Sequence, residues 1–315
     1  MSIDWEQTFR NWSKPSSENE STKAENAERM IKIAVSNSQI LSSKDISVFP
    51  QGSYRNNTNV REDSDVDICV CLNSLVSSDY SLVPGMNDRL AGLISASYNY
   101  NQFKNDLETA LRNKFGLLGV SRGKKAFDVH ANSYRIDADV VPAIQGRLYY
   151  NHTNFLRGTC VLPDSGGIIY NWPEQNYNNG VAKNNKTNSR FKFIVRAIKR
   201  LRNRLAENGY SSAKPISSYL IECLIYVVPD HYFSGDSYKA NVNECIKYLY
   251  NQIDLNDWTE INEIKYLFRP SQKWSKEQVK EFLSSSWHYI QNPCRKLFIK
   301  WLPLMRLDNS TIVPF

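Results

Sequence analysis

Two aspartates stand two positions apart at the start of an apolar run in the first third of the chain. Asp65 and Asp67 alternate with apolar residues, and the alternation continues to Leu72. A period of two predicts a β-strand on which both carboxylates face the same side. Such like charges resist joint ionisation unless a cation lies between them, and hard divalent cations such as Mg²⁺ accept carboxylate oxygens. Taken alone, the pattern also fits a solvated strand face.

Two further segments favour a metal site. Gly52 and Ser53 follow a short apolar run. That order predicts a strand-to-helix turn whose N–H groups and hydroxyl suit a phosphate. A second acidic strand is expected at 134–141, with Asp137 and Asp139 on one face. A third carboxylate beside the first two would complete a two-metal site, which can clamp the attacking and leaving oxygens of an in-line phosphoryl displacement.

The elements that must position these residues form an α/β lobe. A capping box at Ser17 and the helical spacing after it predict one helix in the first fifty residues, leading into a strand. Period-two patterns predict strands at 66–72, 126–130 and 134–141, with a helix at 100–115 between them. Strands interrupted by a helix favour a mixed sheet.

The second half of the chain has a different pattern. Dense turn residues over 163–188 predict a long loop that could line a site. An apolar stripe from Phe191 to Leu205 predicts a helix, and further helices are expected at 217–228 and 276–290. A helical lobe therefore follows the α/β lobe.

Composition limits the class of protein. The chain has 315 residues, of which 41% are hydrophobic, which suits two packed lobes and excludes wholesale disorder. The net charge of +7 is concentrated over 190–204, and this surplus fits a polyphosphate pocket as well as a nucleic-acid groove. Six cysteines without a C-x-x-C pair are expected to be reduced and buried. No signal peptide or membrane-length apolar run is visible, so a soluble, cytoplasmic protein is expected.

These motifs resemble those of the polymerase-β-like nucleotidyltransferase superfamily. The residues that carry the resemblance are Gly52-Ser53, Asp65-x-Asp67 and Asp139-Val-Val-Pro142, with support from Gln51, Trp172–Gln175 and Ile216–Glu222. Within the superfamily, the chain is similar to the bacterial CD-NTases of the CBASS anti-phage systems, relatives of animal cyclic GMP–AMP synthase. Among these it looks closest to clade E.

The resemblance spans about residues 5–300 and implies an α+β fold. A polymerase-β-like nucleotidyltransferase lobe, with a mixed sheet, helices and an N-terminal spine helix, would occupy residues 1–165. A C-terminal helical lobe over 166–315 would complete the nucleotide pocket.

The resemblance also implies roles for the acids. Asp65 and Asp67 would bind two Mg²⁺ ions, for which Mn²⁺ can substitute, and Asp139 would bind the ion that activates the acceptor hydroxyl. Asp139 is chosen because the third acid of the family directly precedes Val-Val-Pro. Asp137 shares its predicted face and stays an alternative.

The remaining assignments concern the nucleotide. The substrate-binding residues implied by the resemblance are Gln51, Gly52, Ser53, Lys199, Ser218 and Tyr219. Ser53 and the amides of its turn would hold the donor triphosphate, Lys199 and Ser218 would touch phosphate, and Tyr219 would stack on the donor base. Stacking on an aromatic ring tolerates any base.

Several of these residues also have plainer interpretations. The basic face of the helix after Ser189, which includes Lys192, Arg196 and Lys199, is by default solvated. Tyr219 is also compatible with a core aromatic of an apolar helix. Asn171 and Asn176 are candidates for reading the base edge but are also ordinary turn residues.

The function implied is a metal-dependent nucleotidyltransferase that joins two nucleoside triphosphates into a cyclic dinucleotide, with a pyrimidine expected from clade E. Pyrophosphate would leave, and a separately encoded effector would bind the product. A linear or terminal transferase acting on RNA or a small molecule is the alternative, and a nucleotide-binding subunit on a decayed fold is a third. No counterpart of the zinc ribbon of the animal DNA sensor is visible, so no obligate DNA partner is expected. No membrane partner is expected either, because no apolar run is long enough to cross a bilayer. The protein is expected to be a monomer, and the role of the apolar tail at 312–315 is not indicated.

Overall fold

The computed structural model of the chain describes residues 3–61, 65–269 and 272–292. The chain divides into two compact units. The sheet unit comprises residues 16–177, and the helical unit comprises the segment up to Pro15 together with the chain from Asn178 onward. These limits differ from the predicted domain boundaries, 1–165 and 166–315. The two units are defined by compactness alone, so the domain boundaries stay a prediction.

A mixed sheet organises the sheet unit. Its seven strands within the described residues are β1 (Ile46–Gln51), β2 (Val66–Asp79), β3 (Val120–Arg122), β4 (Phe127–Val129), β5 (Ala138–Tyr149), β6 (Phe155–Val161) and β7 (Ile169–Asn171). Their order is β1-β2-β5-β4-β3, and β6 pairs with β5 and β7. Strands β2 and β5 are parallel, whereas the other pairs are antiparallel. The predicted α+β fold with a mixed sheet is therefore confirmed.

The alternation of β2 separates its two faces as predicted. Val66, Ile68, Val70 and Leu72 are buried in one hydrophobic cluster with residues of α2 (Glu18–Ser36) and α4 (Tyr100–Phe115). Cys69 and Cys71 lie in a separate small cluster on the other face. The first residue of the capping box of α2, Ser17, accepts a hydrogen bond from the N–H of Glu20, as the sequence predicts. The sheet thus has one face covered by helices and one that carries the polar residues of the site.

The helical unit contains α1 (Trp5–Trp12), α6 (Arg190–Glu207), α7 (Ser218–Tyr226), α8 (Tyr238–Gln252) and α9 (Lys276–Gln291). The predicted stripe of α6 is buried, from Phe191 to Leu205, in one cluster with α7, α8 and α9. The predicted C-terminal helical lobe is confirmed. No helix of the described residues is long and apolar enough to cross a membrane.

Three local predictions are wrong. The first fifty residues contain two α-helices rather than one, because a short first helix, α1, packs Trp5 and Phe9 into the helical unit. The segment 163–188 is not a long loop, because it contains β7 and α5 (Pro173–Lys186). The second acidic strand begins only at Ala138, so Asp137 precedes it.

The charged face of α6 is also not solvated throughout. Arg196 and Lys199 are each 1% exposed. The Nε of Arg196 donates a hydrogen bond to the carbonyl of Ser13 at 2.6 Å, so a residue far away in the sequence compensates its burial.

The cysteine prediction is confirmed for the described residues. Cys69, Cys71, Cys160, Cys223 and Cys245 are buried free thiols. Burial raises the pKa of Cys71 to about 12, which leaves its thiol protonated and unreactive. Cys294 and the apolar tail at 312–315 lie outside the described residues.

Candidate active site

Strand register aligns the predicted acids. Asp67 of β2 is paired with Asp139 of β5, which is the parallel neighbour of β2. Asp65 lies two residues before Asp67 and immediately precedes the first residue of β2, Val66. Side chains at the same level of neighbouring strands, and at i and i+2 of one strand, share a face of the sheet. The fold therefore brings the three predicted carboxylates to one edge of one face.

A fourth acid, which the sequence reasoning missed, adjoins this group. Asp128 of β4 is paired with Asp139 on the side opposite Asp67. The sequence contains a signal for this acid, because the apolar residues Phe127 and Val129, both buried, flank Asp128 in a strand. Alternation then places Asp128 on the opposite face of the sheet from them.

The electrostatics of Asp139 reflect this crowding. Burial, the hydrogen-bonded carboxylate of Asp128 and the charges of Asp65 and Asp137 together raise the pKa of Asp139 to about 6. Every one of these influences disfavours its ionised form. A cation at this edge would offset the repulsion between Asp139 and the neighbouring carboxylates.

Asp137, the alternative third acid, is engaged elsewhere. Its Oδ1 accepts a hydrogen bond from the N–H of Ala131 at 2.6 Å, and Asp137 itself is exposed. Its own carbonyl accepts from the N–H of Val66. Asp137 thus supports the loop before β5, whereas Asp139 pairs with Asp67.

The predicted turn at Gly52 and Ser53 is present. Strand β1 ends at Gln51, which pairs with Asp67, and a short helix, α3 (Gly52–Arg55), begins at once. Gly52 has φ +65°, and a Cβ placed there would overlap Oδ2 of Asp67 and lie 3.0 Å from its Cγ. Only glycine fits this position, both because its backbone is left-handed and because the Asp67 carboxylate lies directly beside it.

The donor set fits a hard divalent cation. Carboxylate oxygens are ligands that Mg²⁺ prefers. Because Gly52 has no side chain, its backbone lies directly beside the carboxylate of Asp67. Within residues 3–61, 65–269 and 272–292, no group of three or more His, Cys, Asp or Glu side chains is arranged so that it could hold a metal ion. Carboxylates that repel one another need a cation to draw them together.

In the helical unit, Lys199 lies in a buried ion pair. Its Nζ is 2.6 Å from Oε1 of Glu222 on α7, and the two residues are 1% and 3% exposed. Glu222 belongs to the same sequence motif as Ser218 and Tyr219, but the sequence reasoning gave it no role. Spacing alone does not reveal a partner 23 residues away.

Ser218 is the first residue of α7 and lies beside a second cation. Its Oγ accepts a hydrogen bond from Nη2 of Arg202 at 3.0 Å, and Nη1 of Arg202 donates to the carbonyl of Ile216 at 2.7 Å. Arg202 follows Lys199 by three positions on α6 and was also missed. The predicted phosphate contacts Lys199 and Ser218 therefore lie on two packed helices, α6 and α7.

Tyr219 is half-buried against the core of the helical unit. Its hydroxyl donates a hydrogen bond to Oε2 of Glu260 at 3.0 Å. Burial and the nearby Cys223 and Glu260 raise the pKa of Tyr219 far above its ordinary value, so the hydroxyl stays a donor. The ring is neither a fully exposed platform nor a fully buried core residue.

The two asparagines proposed to read the base lie in regular elements. Asn171 is the last residue of β7 and pairs with Thr159, and Asn176 lies in the first turns of α5. Their roles stay a prediction.

Two family models match the chain. One describes the C-terminal helical domain of cGAS/DncV-like nucleotidyltransferases and matches residues 178–291. The other describes the nucleotidyltransferase domain and matches residues 29–115.

The proteins and solved structures similar to this chain include several that are named as cyclic nucleotide synthases. A Legionella pneumophila protein named cyclic dipyrimidine nucleotide synthase CdnE is 79% identical over 293 residues, which cover 92% of this chain and 99% of that protein. A protein of the same name from Cecembia lonarensis is 38% identical and covers 91% of this chain and 98% of its own length. The solved structure of Rhodothermus marinus CdnE c-UMP-AMP synthase with Apcpp and Upnpp matches with a TM-score of 0.82 at 31% identity, covering 94% of this chain and 99% of that one.

Proposed function

Because this chain belongs to the CD-NTase family of cyclic dinucleotide synthases, we propose that it joins two pyrimidine nucleoside triphosphates into a cyclic dipyrimidine dinucleotide. The names of its relatives from Legionella and Cecembia support the choice of pyrimidines, and the Rhodothermus enzyme also joins a pyrimidine nucleotide. Two phosphodiester bonds form, and each releases one pyrophosphate.

We propose that Asp65, Asp67 and Asp139 hold two Mg²⁺ ions, for which Mn²⁺ can substitute. When bound, these cations lower the pKa of the attacking sugar hydroxyl and neutralise charge on the triphosphate. The single observation that carries this assignment is the register of β2 and β5, which pairs Asp67 with Asp139. Burial and the repulsion of neighbouring carboxylates together raise the pKa of Asp139, and the repulsion supports a need for cations at this edge.

Further residues in each unit are proposed to contact the donor nucleotide. The turn at Gly52 and Ser53, next to Gln51, offers N–H groups and a hydroxyl to the triphosphate. In the helical unit, Lys199 and Ser218 are proposed to contact phosphate, and Tyr219 is proposed to stack on the base. Arg202 donates a hydrogen bond to the Ser218 hydroxyl and so holds it in place. The same hydroxyl can donate its own proton in a hydrogen bond to phosphate.

The partners are proposed from the same chemistry. The product would act on a separately encoded effector in anti-phage signalling, and the enzyme would work as a monomer in the cytoplasm. Nucleoside triphosphates and reduced thiols, the state of the five described cysteines, are typical of that compartment.

The decisive experiment measures pyrophosphate release and products with UTP, CTP, ATP, GTP and Mg²⁺. The wild-type chain is expected to give a phosphatase-resistant dipyrimidine product by mass spectrometry, whereas a product with free ends would support a linear transferase. The variant Asp65→Asn/Asp67→Asn and the variant Asp139→Asn should each lose on the order of a thousandfold in rate, because phosphoryl transfer depends on charge neutralisation and positioning.

The matched control is Asp137→Asn, two residues before Asp139. Its carboxylate accepts a hydrogen bond from Ala131, so it should keep pyrophosphate release near wild type. An inactive Asp137→Asn beside an active Asp139→Asn would exchange the two assignments. Wild-type turnover in Asp65→Asn/Asp67→Asn would refute the metal site.

A further inference from the structure

A short hairpin lies beside α7 in the helical unit. In this Glu260 hairpin (residues 258–267), the N–H of Leu267 donates to the carbonyl of Trp258 at 2.8 Å, and the N–H of Glu260 donates to the carbonyl of Lys265 at 2.7 Å. The side chain of Asn179 donates to the carbonyl of Ile261 at 2.8 Å, which ties the hairpin to α5. The hairpin therefore has a defined conformation and can serve as a rigid support.

The carboxylate of Glu260 is the centre of a buried polar network. Oε2 accepts hydrogen bonds from the hydroxyl of Tyr219 at 3.0 Å and from Nδ2 of Asn262 at 2.7 Å, and Oε1 accepts from Nε2 of Gln272 at 3.3 Å. Glu260 is 6% exposed and Asn262 is 4% exposed. A buried carboxylate is tolerated only when donors satisfy its oxygens, so the removal of one donor disturbs the whole network.

Tyr219 contributes the only aromatic group among these donors. Its ring packs partly against the hydrophobic core, and its centroid is 6.3 Å from that of Trp274. The hydroxyl at one end of the ring is fixed on Glu260, while α7 fixes the other end through Cα. A phenol held at both ends has a fixed ring axis, and packing then limits rotation about that axis, whereas a phenylalanine at the same place would be held only by packing.

We propose that Glu260 is a positioning residue for nucleotide binding, which holds the ring of Tyr219 in the orientation that stacks on the base. This inference rests on the proposed function, in which Tyr219 contacts the donor base. Preorganisation of this kind lowers the entropic cost of binding, because the ring does not have to be ordered by the ligand.

The same helix and hairpin supply a matched control. Tyr226 lies two turns after Tyr219 on α7, and its hydroxyl donates to Oε1 of Glu263 at 2.5 Å. Tyr226→Phe removes a bond of the same chemical type between the same two elements. The proposed function gives Tyr226 no contact with nucleotide.

The experiment compares Tyr219→Phe, Glu260→Ala, their double variant and Tyr226→Phe in the full chain. We expect KM for UTP, followed by pyrophosphate release, to rise about fivefold in the first three with kcat little changed, because stacking contributes equally to the ground and transition states. The KM of the double variant should resemble that of the single variants, since Tyr219→Phe and Glu260→Ala both remove the same Tyr219–Glu260 hydrogen bond. Tyr226→Phe should keep the wild-type KM even where its melting temperature falls. An equal rise of KM in Tyr226→Phe, or additive effects in the double variant, would overturn the proposal.

A conservative variant and a binding measurement separate positioning from general destabilisation. Glu260→Gln keeps an oxygen that can accept from Tyr219, and its KM should return toward the wild-type value. Titration of the protein with a non-hydrolysable UTP analogue, followed by the fluorescence of Trp274 and the other tryptophans, should give a Kd that changes in parallel with KM. A Kd that stays constant in Tyr219→Phe and Glu260→Ala would also overturn the proposal.

Tyr219→Ala distinguishes failure of this inference from failure of the proposed function. Removal of the ring should weaken UTP binding on the order of tenfold or more, the usual range for a base–aromatic stack. If Tyr219→Ala binds UTP as the wild type does, the base contact itself is wrong, and Glu260 has no ring to position. If Tyr219→Ala binds weakly while Tyr219→Phe and Glu260→Ala bind normally, the contact stands and the positioning role is refuted.

Discussion

The buried ion pair of Lys199 and Glu222 allows a quantitative test of how the helical unit is held together. The perturbation is Glu222→Gln, which keeps the shape of the side chain and removes its charge. Lys199 is 1% exposed, so its ammonium group would stay in a site with little access to water. The proximity of Nζ and Oε1, 2.6 Å apart, shows that the two charges compensate each other directly.

The magnitude follows from burial. Removal of one partner from a buried ion pair typically costs about 3–5 kcal/mol, because the remaining charge is uncompensated. Glu222→Gln should therefore lower the free energy of unfolding by about 4 kcal/mol. The control is Asp254→Asn, which neutralises a pair with Lys280 whose side chains are 57% and 24% exposed. Exposed pairs contribute at most about 1 kcal/mol, so this control should unfold almost as the wild type does.

Urea unfolding followed by far-UV circular dichroism compares these variants. The double variant Lys199→Met/Glu222→Leu replaces both charges by apolar groups and should regain most of the stability lost in Glu222→Gln. If the double variant folds well but no longer releases pyrophosphate, the loss belongs to the proposed phosphate contact of Lys199 rather than to unfolding. The reasoning is refuted if Glu222→Gln is as stable as Asp254→Asn, or if the double variant is no more stable than Glu222→Gln.

Two further predictions concern the sheet unit. Gly52→Ala should reduce pyrophosphate release at least about tenfold, because a Cβ displaces the carboxylate of Asp67, whereas Gly85→Ala, with φ +82° and open space around it, carries similar backbone strain and should stay active. Asp139→Asn should stabilise the metal-free protein by about 1 kcal/mol at pH 7.5, a value reduced from the full pKa shift because Asp139 is partly exposed. The folded-state pKa of Asp139, about 6, is raised above the unfolded value, so the ionised carboxylate destabilises the folded protein above pH 6. The extra stability of Asp139→Asn should therefore vanish as the pH falls from about 6 to about 4. Thermal melts across this range check it, and saturating Mg²⁺ at pH 7.5 should stabilise the wild type but not Asp139→Asn.

The strands and helices that follow a local pattern were predictable from the sequence. The alternation in β2 separates the buried Val66 and Ile68 from the acids, and the helix expected at 100–115 has the bounds Tyr100–Phe115. The alignment of Asp67 with Asp139 was not predictable from these patterns, because register depends on which strands become neighbours. For that pairing the resemblance to a known family was needed.

The elements that were missed depend on contacts far away in the sequence. Helix α5 has the composition of a loop, but Lys183 donates to the carbonyl of Val228 and forms an ion pair with Asp230. Glycine and asparagine disfavour a helix locally, so these tertiary interactions override propensity. The burial of Lys199 was hidden for the same reason, because its partner Glu222 lies on another helix.

The two units treat buried charge in opposite ways. In the helical unit, the charge of Lys199 has a counter-charge at 2.6 Å, which lowers the cost of burial. In the sheet unit, the pKa of Asp139 is raised by burial and by the neighbouring carboxylates of Asp128, Asp65 and Asp137. A site selected only for stability would replace one of these acids by an apolar residue, as the same face of the same strand does at Val141 and Ala143. The repulsion at one edge of the sheet, beside a glycine that admits no side chain, therefore supports the proposed cation site there.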